Sequence, residues 1–160
     1  MAPQLRRATG ADLPALESLL ASQHLPAHGL QDCMETCWVL EDEGQVIACA
    51  GFEEYGNAAL LRSVIVEAGY RNRRHGERLV RNAIAEAAGR SITTLFLFTM
   101  EAAGYFARFG FRPCSLKDFP EAVRASYQYR GVSTMPELQG RITAMRLPLA
   151  PASDHGEGAA

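Results

Sequence analysis

VIVEAGYRNRRHGERLV, residues 64–80, passes from an apolar, β-branched run through a short loop into a segment of helical period, and the loop concentrates Arg71, Arg73, Arg74 and His75. A helix N-terminus presents unpaired N–H groups and the positive end of the helix dipole, so it holds an anion such as a pyrophosphate with little further help. Cations are favoured at the opposite end of a helix, and a cluster of them at the N-terminal end opposes the dipole unless an anion offsets it. Residues 71–77 therefore read as a local phosphate site in preference to a solvated basic stretch.

Working outward, AALLRSVIV (residues 58–66) has the β-branched content of a strand. CWVLEDEGQVIACAGFEEY (residues 37–55) reads as a hairpin with an acidic, glycine-containing turn. These three strands are expected to form an antiparallel meander. Residues 4–8 start a strand, and Thr9 followed by Asp12 and by Leu13, Leu16, Leu19 and Leu20 reads as a capped amphipathic helix. A short, weakly helical piece runs through Met34. Downstream, Leu79, Val80, Ala83, Ile84 and Ala87 share one helical face in the segment 71–89. ITTLFLFTM (residues 92–100) suits a strand buried on both faces, and a strand reached through a helix is expected to run parallel to its predecessor. A short helix through Arg108, a strand start at Phe111 and a last strand RITAMRLPL follow, with residues up to about Pro136 ambiguous. One domain over residues 4–148 and a disordered tail at 149–160 are expected.

A chain of 160 residues, 48% hydrophobic with a net charge of −2, has the balance of a domain with one core and no general pull toward nucleic acid or anionic membrane. Nowhere do 18 apolar residues follow one another. A cytoplasmic location is expected. Cys33, Cys37, Cys49 and Cys114 lack a paired CxxC spacing and read as reduced, mostly buried thiols with no metal to hold. Cys33 and Cys37 would face each other one turn apart if their segment were helical.

The order of elements, together with LLRSVIV, RNRRHG, LFLFTM and YFARFGF, resembles the GNAT acetyltransferases over about residues 4–148. The resemblance implies an α+β fold: a mostly antiparallel sheet of about six or seven strands with helices on both faces. It also implies acetyl-CoA as co-substrate and no metal. The family's phosphate turn reads Arg or Gln, two residues, Gly, one residue, then Gly or Ala; Arg71 and Gly76 match, whereas Arg74 stands at the middle Gly. A side chain there meets strain of about 1–2 kcal/mol if its residue is left-handed. By the same resemblance Arg71, Asn72, Arg73, Arg74, His75, Gly76 and Glu77 bind the pyrophosphate. Backbone groups of Val64, Ile65 and Val66 would run beside the pantetheine arm, with N–H groups at a bulge serving a developing oxyanion.

Attack on a thioester needs an unprotonated amine, and the departing thiolate can take up a proton, so a base and an acid are sought. The resemblance puts a Tyr acid four residues before Gly110, which here is Phe106; Tyr105, one residue earlier, is the substitute candidate. Glu53 and Glu54, at a strand end beside Tyr55 and Gly56, are candidates for the base. Arg62 is a charge within an apolar strand and, by alternation, shares a face with Leu60 and Val64. It needs a carboxylate partner, either Glu53 or Glu54 or an anionic acceptor, with the acceptor the preferred reading.

EDEGQVIACAGFEEYG, LLRSVIV, LFLFTMEAAGYFARFGFRP and FPEAVRASYQY are similar to the N-acetylglutamate-synthase-like acetyltransferases and their stand-alone relatives linked to arsenic resistance. That likeness implies an amino acid or amino-acid-like acceptor, with Arg124, Tyr127 and Arg130 as further substrate-binding candidates and a homodimer left open. The sequence departs from glutamate acetylation in having no Arg between Pro26 and Cys37 and no Glu at Leu60. The expected function is N-acetylation of a small-molecule amine by direct attack in a ternary complex. The alternatives are a regulatory acetyl-CoA-binding module and a protein N-acetyltransferase.

Overall fold

The protein is described by a computed structural model over residues 2–25, 27–71 and 73–149; Asn72 and residues 150–160 of the expected tail lie outside this range. The elements are β1 (Gln4–Arg7), α1 (Leu13–Ala21), β2 (Cys37–Asp42), β3 (Gln45–Tyr55), β4 (Ala58–Val66), α2 (His75–Gly89), β5 (Thr94–Thr99), α3 (Ala103–Ala107), β6 (Arg112–Pro113), α4 (Glu121–Arg124), α5 (Tyr127–Thr134), α6 (Pro136–Gln139) and β7 (Thr143–Pro148). The strands form a seven-stranded sheet in the order β1-β2-β3-β4-β5-β7-β6. Among the pairings described, β4–β5 is parallel, as expected for these two strands joined through α2, and the others are antiparallel. The fold is thus α+β with a mostly antiparallel sheet.

Contacts divide the chain into two compact units, one of Met1–Glu53 with Leu61–Glu86, the other of Glu54–Leu60 with Ala87–Ala160. In the first, alternation along β2 sends Cys37 and Val39 to one face and Trp38 and Leu40 to the other. Leu16, Leu19 and Leu20 of α1 cover the first face, together with Leu30 and Cys33 of the 3₁₀ turn Leu30–Thr36. Leu79 of α2 covers the second with Ala48, Ala50, Val64 and Val66. Helices therefore lie on both faces of this part of the sheet. α1 starts as Thr9 and Asp12 predict, although a 3₁₀ turn, Gly10–Asp12, intervenes: the Thr9 amide donates to Asp12 Oδ2 at 2.8 Å.

In the second unit the parallel ladder joins Ala58–Leu60 to Thr94–Phe96, and β7 runs antiparallel to β5 from Thr94↔Pro148 to Thr99↔Thr143. Phe96 and Phe98 stack on Phe119, with ring centroids 4.4 Å and 5.1 Å apart. Val123 of α4 and Tyr129 of α5 close this cluster. The stretch left ambiguous by the sequence holds two short helices, α4 and α5, and a third, α6, starts where it ends. They are individually too short to show a clear period, and Pro120 and Pro136 interrupt the run.

One sequence expectation is corrected here. The helical segment expected from Arg71 begins at His75, because Arg74 is left-handed at φ 65° and a helix does not propagate through such a residue. Its carbonyl accepts the first bond of α2, from the Arg78 amide at 3.1 Å. The condition under which Cys33 and Cys37 would face each other is not met: Cys33 leaves helical geometry (φ −125°, ψ 27°), and Cys37 opens β2 as the hairpin reading expects.

Candidate functional site

The junction of β4 and α2 lies within the first unit and is built from both of its core faces. Ser63, within β4, is left-handed at φ 60°. In an unbroken strand Arg62 and Val64 would share a face. Here Val64 and Val66 pack on the α2 side, while Arg62 reaches toward the chain before the 3₁₀ turn, where its Nη1 donates to the His28 carbonyl at 2.6 Å. Ile65 joins the α1 side. The shared face expected for Arg62 and Val64 is therefore not formed, because one left-handed residue displaces the alternation by one position.

Arg62 is 5% exposed and its Nη1 donates to Glu53 Oε2 at 2.5 Å. Its Nε donates to Ser63 Oγ at 3.1 Å. Of the two partners that the sequence left open, the geometry supplies the protein's own carboxylate. The charge of the same guanidinium acts on three buried thiols, Cys33, Cys37 and Cys49. Interaction with Cys49, together with the Arg62 charge, lowers the Cys37 thiol pKa, while interaction with Cys37 and burial raise that of Cys49. Burial pushes Cys33 up to about 12. Among the described residues no group of three His, Cys, Asp or Glu side chains has the geometry of a metal site.

After β4 the chain makes a 3₁₀ turn, Ala68–Tyr70, and reaches α2 through residues 71–74. Tyr70 ties this loop to the β2–β3 hairpin: its hydroxyl donates to Asp42 Oδ2 at 2.8 Å, and the carboxylate raises the phenol pKa. Arg73 lies over the Tyr70 ring, 5.7 Å from its centroid. The Val66 carbonyl accepts from Gln23 Nε2 at 3.0 Å and from Arg71 Nε at 3.3 Å. Arg73 and Arg74 are exposed. His75 Nε2 is buried with no hydrogen-bond partner among the described residues, and Glu77 pairs with Arg81 at 3.2 Å. Val64, Ile65, Val66, Arg71, Arg73, Arg74, His75, Gly76 and Glu77 are thus gathered along one strand–loop–helix path. Ser63, Tyr70, Gln23 and Cys49 belong to its frame and were missed by sequence reading. Ser63 is not a residue type that marks a left-handed turn within a strand, and the other three act through partners distant in the chain.

The remaining candidates lie in the second unit. Glu54 pairs with Arg90 at 3.2 Å. Tyr105 packs edge-on against Phe106 and Phe109, 5.3 Å from each, beneath the Arg108 guanidinium. Phe106 is buried at 8% exposure and meets Phe111. Arg124 closes its own turn, donating to the Phe119 carbonyl at 2.9 Å and the Lys117 carbonyl at 3.1 Å. Tyr127 and Arg130 are exposed and share one face of α5.

A strand broken by one left-handed residue, a cationic loop and a helix N-terminus together suit a protein that seats a pyrophosphate-bearing donor. The acetyltransferase (GNAT) domain family matches residues 34–113, and the chain belongs to that family of acyltransferases. Among curated relatives, the amino-acid acetyltransferase of Pseudomonas fluorescens is 32% identical over 94 residues, covering 58% of this chain and 22% of that protein. The amino-acid acetyltransferase of Neisseria meningitidis serogroup A is 26% identical over 136 residues, covering 79% and 31%. The chain thus spans less than a third of these relatives' length. Among solved structures, N-acetylglutamate synthase from Neisseria gonorrhoeae complexed with coenzyme A and N-acetyl-glutamate superposes with a TM-score of 0.76 at 24% identity, over 94% of this chain and 36% of that one. Rv2747 from Mycobacterium tuberculosis in complex with CoA and NLQ gives 0.76 at 21% identity, over 92% and 100%. Both show the fold.

Proposed function

We propose that the protein transfers an acetyl group from acetyl-CoA to the amino group of a small molecule, an amino acid or amino-acid-like compound, by direct attack in a ternary complex. The observation that carries this reading is the path from Ser63 to Glu77, where a strand end leads to a helix N-terminus surrounded by Arg71, Arg73, Arg74 and His75. The orphaned His75 Nε2 at that terminus fits an acceptor supplied by a bound donor. The names of the similar proteins support the amino-acid class.

Acetyl-CoA supplies the activated acyl group as a thioester. The chain's own residues bind and orient. Amides at the start of α2 and the loop cations hold phosphate. Backbone groups of Val64 and Ile65 align the donor beside β4, the Val66 carbonyl being already engaged by Gln23 and Arg71. An outward N–H beside the break in β4 stabilises negative charge developing on the acetyl oxygen, an effect often worth about 10²–10³ in rate. Of the two candidate bases, Glu54 is the proposed group for receiving the amine proton, directly or through water, Glu53 being held by Arg62, and Tyr105 is proposed to donate one to the thiolate. Arg124, Tyr127 and Arg130 are proposed to meet the acceptor.

The test is calorimetric titration with acetyl-CoA followed, in the same sample, by free-thiol release against a panel of amino acids, their carboxamides and simple amines. Binding with release that favours amino acids is expected. Binding without release from any acceptor would favour a regulatory acetyl-CoA-binding module, and absence of binding would overturn the reading of the turn.

A further inference from the structure

We infer that Arg62, Ser63 and Cys49 form a latch that holds β4 in its left-handed break, and that the buried Arg62–Glu53 pair serves this backbone geometry, not a ligand carboxylate. The inference rests on reading β4 as the donor-aligning strand. A non-glycine residue at φ 60° costs about 1–2 kcal/mol, which glycine would avoid. Ser63 carries that cost with both of its polar oxygens engaged: Oγ accepts from Arg62 Nε at 3.1 Å and the carbonyl accepts from Cys49 Sγ at 3.1 Å. Side chains of adjacent residues on a regular strand diverge to opposite faces. The Arg62–Ser63 contact thus exists because the left-handed turn swings Ser63 toward its neighbour, and the contact in turn favours that turn.

The guanidinium is itself fixed from the far side. Nη1 bonds both Glu53 and the His28 carbonyl, and a β-carbon on Gly29 would lie 3.8 Å from Nη1. A buried guanidinium joined to a carboxylate is a neutral unit, and removing one partner strands the other charge. The latch therefore connects a rigid ion pair to the one residue that decides which backbone groups of residues 63–66 turn outward. Arg62, Ser63 and Cys49 are positioning residues.

The test compares Arg62→Lys, Ser63→Gly, Ser63→Val, Cys49→Ala and Cys49→Ser in the full chain by steady-state kinetics and by hydrogen exchange of the amides at residues 63–66. Arg62→Lys keeps the charge but loses the fork that reaches Ser63 and Glu53 together. It and Ser63→Val are expected to lower kcat by about tenfold to a hundredfold, the worth of a charge-assisted hydrogen bond. They should leave the ratio of kcat/KM between an amino acid and its carboxamide unchanged. Cys49→Ala should lose less and Cys49→Ser should recover it, while Ser63→Gly keeps the backbone conformation but exchanges faster at residues 63–66. A rise in KM confined to the carboxylate-bearing acceptor in Arg62→Lys would assign the guanidinium to the ligand and overturn the latch. Unchanged exchange at residues 63–66 in Ser63→Val and Cys49→Ala would overturn it as well. If the wild type releases no thiol with any acceptor, the functional reading fails, while the exchange rates still decide the latch. If Arg62→Lys does not fold, the Ser63 and Cys49 variants carry the test.

Discussion

Arg74 combines an exposed cationic side chain with a left-handed backbone at φ 65°, where the family's turn has glycine. Arg74→Gly removes strain of about 1–2 kcal/mol but adds unfolded-chain freedom of about 0.5–1 kcal/mol, so a net gain of up to about 1.5 kcal/mol in stability is expected. Thermal denaturation checks this. The same variant lets the backbone approach a phosphate more closely, and tighter acetyl-CoA binding by calorimetry is the expected outcome. Weaker binding would mean that the guanidinium itself contacts the phosphates. The alternation argument placed Arg62 on the wrong side for an equally local reason: a two-residue period says nothing about a single left-handed serine, and no neighbouring residue type announces one.

At the scale of elements, a bond from Tyr70 to Asp42 of β2, at 2.8 Å, ties the loop before α2 to the β2–β3 hairpin. Tyr70→Phe removes it, and about fivefold weaker acetyl-CoA binding with an unchanged KM for the acceptor is expected, in line with a hydrogen bond of about 1 kcal/mol. Most elements were legible from the chain alone. The limits of β4 were read at Ala58 and Val66, and the parallel register of β4 with β5 followed from the intervening helix. The cationic turn was legible because charge at a helix start contradicts the dipole. Helices α4, α5 and α6 were not, since elements of four to eight residues show too few turns to display a period. The Tyr70–Asp42 tether was likewise invisible, its partners being 28 residues apart with no pattern linking them.

For the whole molecule, acid stability is linked to Asp12. Its carboxylate accepts from both terminal nitrogens of Arg6, Nη1 at 2.8 Å and Nη2 at 2.9 Å, and from the Thr9 amide, while Arg6 Nε also reaches Glu41 at 2.6 Å. The Arg6 bonds, followed by the Thr9 amide, lower the Asp12 pKa to about 2 from an ordinary 3.8. A depressed carboxylate contributes stability above its unfolded pKa and loses it as pH falls toward the folded value. With Arg6 partly exposed, the contribution is about 1–2 kcal/mol after screening. Asp12→Asn should destabilise the protein by that amount at pH 7, and the difference from wild type should shrink between pH 4 and pH 2 in denaturant titrations. A constant difference across that range would remove Asp12 from the account of acid stability.

The chain has a single tryptophan, Trp38. Its indole lies in the cluster that contains Leu79 of α2, with the Arg7 guanidinium 4.6 Å from the ring centroid and Nε1 buried without a partner among the described residues. Because that cluster also contains Val64, Val66 and Tyr70, fluorescence excited at the red edge of the protein's absorption arises from one chromophore beside the strand and loop proposed to hold the donor. Its emission maximum and quenching therefore provide a label-free optical record of that neighbourhood, in unfolding and in ligand titrations alike, with no second indole to subtract.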